Sequence, residues 1–175
     1  WEDVRWQAIS EAHVRIAREA GALGELPLAL NQRVYAHLFA GELRAAALLV
    51  DEIRAASEAT GSNLTPYGAV GLAALRGREP EAIPLIDESR RDAMRRGEGV
   101  GLSVLDWAQA VLYNGLGRYD EALAAARRVA EYPHDLSTSN WGMVELIEAA
   151  VRAGTPELAA DARPRLAEVA RVSGT

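Results

Sequence analysis

"LGRYDEALAAAR", residues 116–127, places a glycine ahead of an aromatic residue, two acids and an alanine-rich run. The glycine has counterparts. Gly41, Gly77, Gly117 and Gly154 open comparable segments, spaced 36, 40 and 37 residues apart. An alanine stands five residues after each of them: Ala46, Ala82, Ala122 and Ala159. Gly61, Gly97 and Gly174 close three of the segments, and Pro133 stops the remaining one a little earlier. Asp51-Glu52 and Asp87-Glu88 share one offset in two units. Self-similarity with a period of this size signals a repeat architecture.

Glycine just past a helix end takes the left-handed conformation that satisfies the last carbonyls. Each of the four glycines therefore ends one helix and turns the chain into the next. The first helices are expected at about 26–40, 66–76, 101–116 and 138–153, and the second at about 43–60, 80–96, 119–131 and 156–173. Residues 3–20 read as one further helix ending at Gly21, the second half of a preceding unit. Thr65-Pro66 and Thr155-Pro156 look like an N-cap followed by proline at the first helical position. Pro84 and Pro164 fall inside expected helices and should kink or locally unpair them. Leu105, Ala108, Leu112 and Gly115 share one helical face. The small residue five positions after each glycine suits a close crossing of two helices. The expected fold is an all-α solenoid of antiparallel helix pairs, about nine helices in one helical-repeat domain over 1–175. Its units are about 1–21 (half), 26–61, 66–97, 101–133 and 138–174.

Composition agrees with a helical chain. Alanine makes up nearly a fifth of the 175 residues and is the strongest intrinsic helix former. Cysteine is absent, so no disulfide and no thiolate metal site can form. Every basic residue is Arg or His, a bias that fits a GC-rich genome. The formal charge of −6 argues against a nucleic-acid-binding surface, which needs a basic face. No apolar run approaches the ~20 residues that span a bilayer, and no signal peptide is visible. The expectation is a cytoplasmic protein without membrane contact. The chain starts at Trp1, which suggests a piece of a longer protein.

"GRYDEAL" with Ala122 resembles the start of the second helix of a tetratricopeptide repeat, and Tyr113 and Ala110 match that motif's aromatic and small positions. The other three units match it mainly through Gly and Ala. A second resemblance covers nearly the whole chain. It runs through "LPLALNQRVYAHLFAGELRAAALLVDEI", "PYGAVGLAALRGREPEAI", "RRGEGVGLSVLDWAQAVLYNGLGRYDEALAAARRVAEYPHDL" and "RAGTPELAADARPRLAEVARVSGT". These stretches resemble the helical-repeat region of the large ATPase-bearing LuxR-type transcriptional regulators of actinobacteria, similar in plan to the maltose-regulator class. The resemblance implies a sensor or interaction segment that binds an inducer, a protein partner or the other domains of its own regulator. In that family a P-loop ATPase precedes the repeats and a helix-turn-helix follows. A chain without Lys cannot hold a Walker lysine. No ATP or DNA site can therefore be placed on these residues. A free-standing tetratricopeptide-like scaffold is the alternative.

Solenoids of this kind line a concave wall with their first helices. One face of those helices carries Asn31, Tyr35, Tyr67, Trp107, Asn114, Trp141 and Glu148. Aromatic rings with a few amides and an acid suit a sugar-like, aromatic or peptide ligand. Packing between repeats would account for the same residues. His13, His37 and His134 have no metal-ligand spacing. "GEGVG", 97–101, resembles a phosphate loop but follows an arginine-rich helix, so a helix–helix turn is expected. "RRDAMRR", 90–96, reads as a solvated face with Asp87–Arg91 and Asp92–Arg96 pairs. Glu145 with Glu148, or Asp51 with Glu52, form carboxylate pairs, yet no nucleophile or metal motif accompanies them. No enzyme activity, cofactor or metal is expected of this segment. Solenoid units depend on their neighbours, so apolar surface at an open end and a tendency to self-associate are expected.

Overall fold

The computed structural model describes residues 3–130 and 138–173. Every regular element within them is helical. They are α1 (Asp3–Glu19), α2 (Leu26–Phe39), α3 (Leu43–Thr60), α4 (Tyr67–Leu75), α5 (Glu79–Arg96), α6 (Gly99–Gly115), α7 (Tyr119–Ala130) and α8 (Thr138–Arg152). A 3-10 turn (Pro156–Ala159) and α9 (Ala162–Ser173) follow. Pro133, His134 and Gly174 lie outside the described residues. The chain divides into two compact units, Glu2–Leu72 and Ala73–Thr175.

The turns follow one design. Gly117 has φ of 74°, a region closed to most side chains by contact of Cβ with the backbone. That conformation lets the Arg118 N–H reach back to Tyr113 O (2.9 Å) and the Gly117 N–H to Asn114 O (3.1 Å). Two carbonyls that the helix end leaves open are thereby satisfied in a Schellman motif. Positive φ recurs at Gly21, Gly41, Gly61, Gly77, Gly97 and Gly154, each the glycine expected to end a helix. "GEGVG" is such a turn, and α6 begins within it at Gly99.

The repeated alanines lie where helices meet. Ala46, Ala82 and Ala122 have no exposed surface, and Ala159 has 2%. In the second unit α6 packs on α7, α7 on α8, and α8 on both the 3-10 turn and α9. Eight of the eleven residues in the buried apolar cluster there are alanine; Leu123, Met143 and Leu146 supply the bulk. Such a core brings helix axes close together, because little side chain separates the backbones. Gly142 marks one such close approach. A Cβ there would meet Val129 Cβ and Cγ1 at 2.6 Å.

Pro164 and the Thr155 cap depart from expectation. α5 runs unbroken through Pro84. Pro80 and Pro84 are both exposed, and a helix carbonyl on a solvent-facing side can be served by water when its internal donor is missing. The expected helix over 156–173 is interrupted instead near Ala160, where the 3-10 turn ends and α9 restarts. Pro164 thus falls in the first turn of α9, where its missing N–H costs nothing. Thr155 occupies the N-cap position before Pro156 but makes no side-chain capping bond. Its buried Oγ1 has no hydrogen-bond partner.

Gly142→Ala should lower stability by about 1–3 kcal/mol, because Val129 sits on the opposing backbone and must move. Ala122→Leu should cost a similar ~1–3 kcal/mol. Gly115→Ala, with nothing within 4 Å of the added carbon, should be neutral or stabilising by up to about 1 kcal/mol. Urea denaturation midpoints of the three variants check the set. Equal midpoints for Gly142→Ala and Gly115→Ala would place α7 and α8 too close together here.

Candidate functional site

In the second unit the first-helix residues come together in pairs. Trp107 on α6 faces Trp141 on α8 with ring centroids 5.3 Å apart and planes tilted by 57°. Further along both helices, Asn114 Nδ2 donates to the Glu145 carbonyl (3.1 Å) and to Glu145 Oε2 (2.8 Å). Residue numbers rise together along this contact, so α6 and α8 run in the same direction. The helix between them, α7, folds back on both. Trp107 is 2% exposed and Asn114 9%.

The Glu2–Leu72 unit repeats the arrangement. The Tyr35 hydroxyl on α2 donates to Tyr67 O (2.9 Å), and the Gly68 N–H donates to Asn31 Oδ1 (2.7 Å). Gly68 and Gly71 permit this approach. A Cβ on Gly68 would lie 2.8 Å from Asn31 Oδ1, and one on Gly71 would lie 3.0 Å from Leu38 Cδ1. Burial, with a smaller effect of the neighbouring Tyr67 hydroxyl, drives the Tyr35 hydroxyl far above its ordinary range.

These positions correct the reading of the aromatic stripe as an open wall. Tyr35, Trp107 and Asn114 are buried against the next first helix, and Asn31, Tyr67 and Trp141 are half-buried. Only Glu148 of the seven is exposed. The physical reason is that the face proposed for a ligand is the face on which consecutive first helices pack. On α8 the same face carries Val144 and Val151, which are 48% and 58% exposed.

The carboxylate pairs are also used otherwise. Glu52 binds Arg18 and Asp51 binds Arg54. Glu145 is half-buried. Burial pushes its carboxyl up, the Asn114 bond opposes that, and the nearby Glu148 charge adds to the rise. His13 Nδ1 lies 3.0 Å from Gln32 Oε1, and His37 Nδ1 lies 2.5 Å from Glu42 Oε2. No group of three metal-ligating side chains occurs among the described residues. In the arginine-rich stretch, Asp92 meets Arg95 and Arg96 meets Glu98.

One polar centre was missed from the sequence. Asp106 is buried and accepts from Arg90 Nη2 (2.8 Å) on α5 and from Arg128 Nε (2.9 Å) on α7. Gln109 Oε1 accepts from the same two arginines at 3.5 and 3.0 Å. A signal was available: Asp106 is the one charged residue in α6. A lone acid on a buried helix needs a cation from a neighbouring element. This centre clamps three helices and presents no reacting group.

Asp106→Ala should destabilise the domain by about 1–3 kcal/mol, since two arginines lose a charged acceptor. Thermal or urea unfolding measures it, and an unchanged midpoint would remove the clamp. For Glu145, the folded pKa is raised above the unfolded one. Its contribution is therefore full below the ordinary carboxylate range and is lost as pH rises through the folded pKa. Glu145→Gln keeps an oxygen to accept from Asn114. It should raise the midpoint at neutral pH and leave it unchanged at acidic pH. A variant less stable than wild type at neutral pH would contradict the direction of this shift.

Neither a family model nor a curated protein nor a solved structure matches this chain.

Proposed function

We propose that the chain is a tetratricopeptide-like α-solenoid segment that serves as the sensor or interaction region of a LuxR-type bacterial transcriptional regulator. The observation that carries the repeat reading is the packing of one first helix on the next, Trp107 on Trp141 and Asn114 on Glu145 in one unit, Tyr35 on Tyr67 and Asn31 on Gly68 in the other. Repeats that contact only their neighbours build extended surfaces suited to binding. The resemblance of the repeat stretches to the regulators of actinobacteria supports the biological context.

The segment's task in this reading is to bind an inducer, a protein partner or the regulator's own other domains in the cytoplasm, without chemistry of its own. Val144, Glu148 and Val151 on α8 favour a helical partner. They stand at the register that α6 buries against α8, and all three are exposed on α8. A second helix laid on this face would bury two aliphatic side chains on the existing packing pattern.

Sequencing the flanking reading frame tests the regulator assignment. A P-loop upstream and a helix-turn-helix downstream are expected; a frame with neither leaves the free-standing scaffold. The purified segment should fail to shift a promoter duplex at about 0.15 M salt. It should self-associate at high concentration, and Val144→Asp with Val151→Asp should reduce that association by light scattering. A monomeric wild type would count against an adhesive face on α8.

A further inference from the structure

A groove of about 570 Å³ lies between α1, α2 and α3 in the Glu2–Leu72 unit. Arg33 on α2 lines it, half-buried. Its Nη1 donates to Gln7 O (3.1 Å), Gln7 Oε1 (2.5 Å) and Ser10 Oγ (3.3 Å). Gln7 is itself held, its amide nitrogen donating to Ala36 O at 3.1 Å. Ser10 is fully buried and donates to Gln7 O at 3.0 Å. One end of the guanidinium is thus fixed, and among the described residues all its acceptors are uncharged. The N–H groups on Nε and Nη2 take no part in these bonds.

The other basic groups of the groove are matched by acids. Arg15 pairs with Glu19, Arg18 with Glu52 and His37 with Glu42. Ala8, Ala12, Val14 and Leu49 add an apolar lining. A half-buried guanidinium with only neutral acceptors has lost hydration without gaining a counter-charge. Its planar fork matches a carboxylate through two parallel hydrogen bonds. Glu11 and Glu19 also line the groove, and their charge disfavours a dianion more than a monoanion.

We propose that this groove binds a small aliphatic carboxylate, with its oxygens on Arg33 and its hydrocarbon against Ala8, Ala12 and Leu49. The site stands independently of the regulator assignment, since it uses only side chains within one unit. It offers that assignment an inducer class.

Titration of the ¹⁵N-labelled chain by NMR tests it, with hexanoate, acetate, inorganic phosphate and hexylamine as probes. Hexanoate should shift amides around Ser10–Arg18 and Arg33–His37 saturably. Acetate should bind more weakly for want of hydrocarbon contact, and phosphate and hexylamine more weakly than hexanoate. Arg33→Gln should reduce hexanoate affinity roughly tenfold or more, as expected for loss of charge-assisted bonds. Arg33 also ties α1 to α2, so Ala12→Leu supplies a second arm. It fills the groove, leaves the Arg33 bonds in place and should block hexanoate. If Arg33→Gln does not fold, Ala12→Leu decides. The proposal is overturned by absence of saturable hexanoate shifts, by hexanoate affinity that neither variant lowers, or by phosphate or hexylamine binding as tightly as hexanoate.

Discussion

A left-handed glycine at the end of a helix closes that helix and aims the next one back along it. At Gly117 the reversed backbone brings two N–H groups onto the Tyr113 and Asn114 carbonyls. The turn is then short and stiff, and α7 must lie alongside α6. Everything downstream depends on that constraint. The alanine five residues later can be a contact residue only because the turn fixes how far along α7 the crossing falls. Repetition of the device at seven glycines turns a local backbone preference into the plan of each unit.

Close approach is the second consequence. An alanine-rich interface forms little apolar area per residue, so it must be compact. Gly142 against Val129 shows how tightly α8 is held to α7. The larger side chains are used where first helices meet first helices. Trp107 and Trp141 pack between α6 and α8, Tyr35 packs against α4, and Asn114 and Asn31 satisfy polar groups along those two seams. Small residues serve both kinds of contact, Gly142 against Val129 and Gly68 against Asn31, while the rings of Trp107, Trp141 and Tyr35 lie in the seams between first helices.

Buried polar groups reinforce the same contacts. Asp106 holds Arg90 and Arg128, joining α5, α6 and α7 through a single carboxylate. Arg33 joins α1 to α2 through Gln7 and Ser10, with its own charge facing neutral acceptors. The contrast matters. A carboxylate with two guanidinium partners is matched internally and tightens the fold. A guanidinium held by amide and hydroxyl oxygens retains the capacity to take an anion.

Helix positions were legible in the residues because their ends are local events. Glycine, proline and capping groups act within one turn, and the positive φ values fall on the glycines that the spacing singled out. The burial of Ala46, Ala82, Ala122 and Ala159 was legible too, since a repeated small residue at one offset marks a repeated contact. Proline was less so. Whether Pro84 breaks α5 depends on which side of the helix meets water, and the position of Pro164 in α9 depends on the 3-10 turn before it. The candidate site was left open for a related reason. Spacing showed that Tyr35, Trp107 and Asn114 share a face, but a shared face is equally a groove lining or a packing seam. Only the tertiary structure decided, by laying the next first helix over it. The Asp106 clamp and the Arg33 groove likewise join residues 16 to 26 positions apart, a distance that no helical period connects and that only helix-on-helix packing closes.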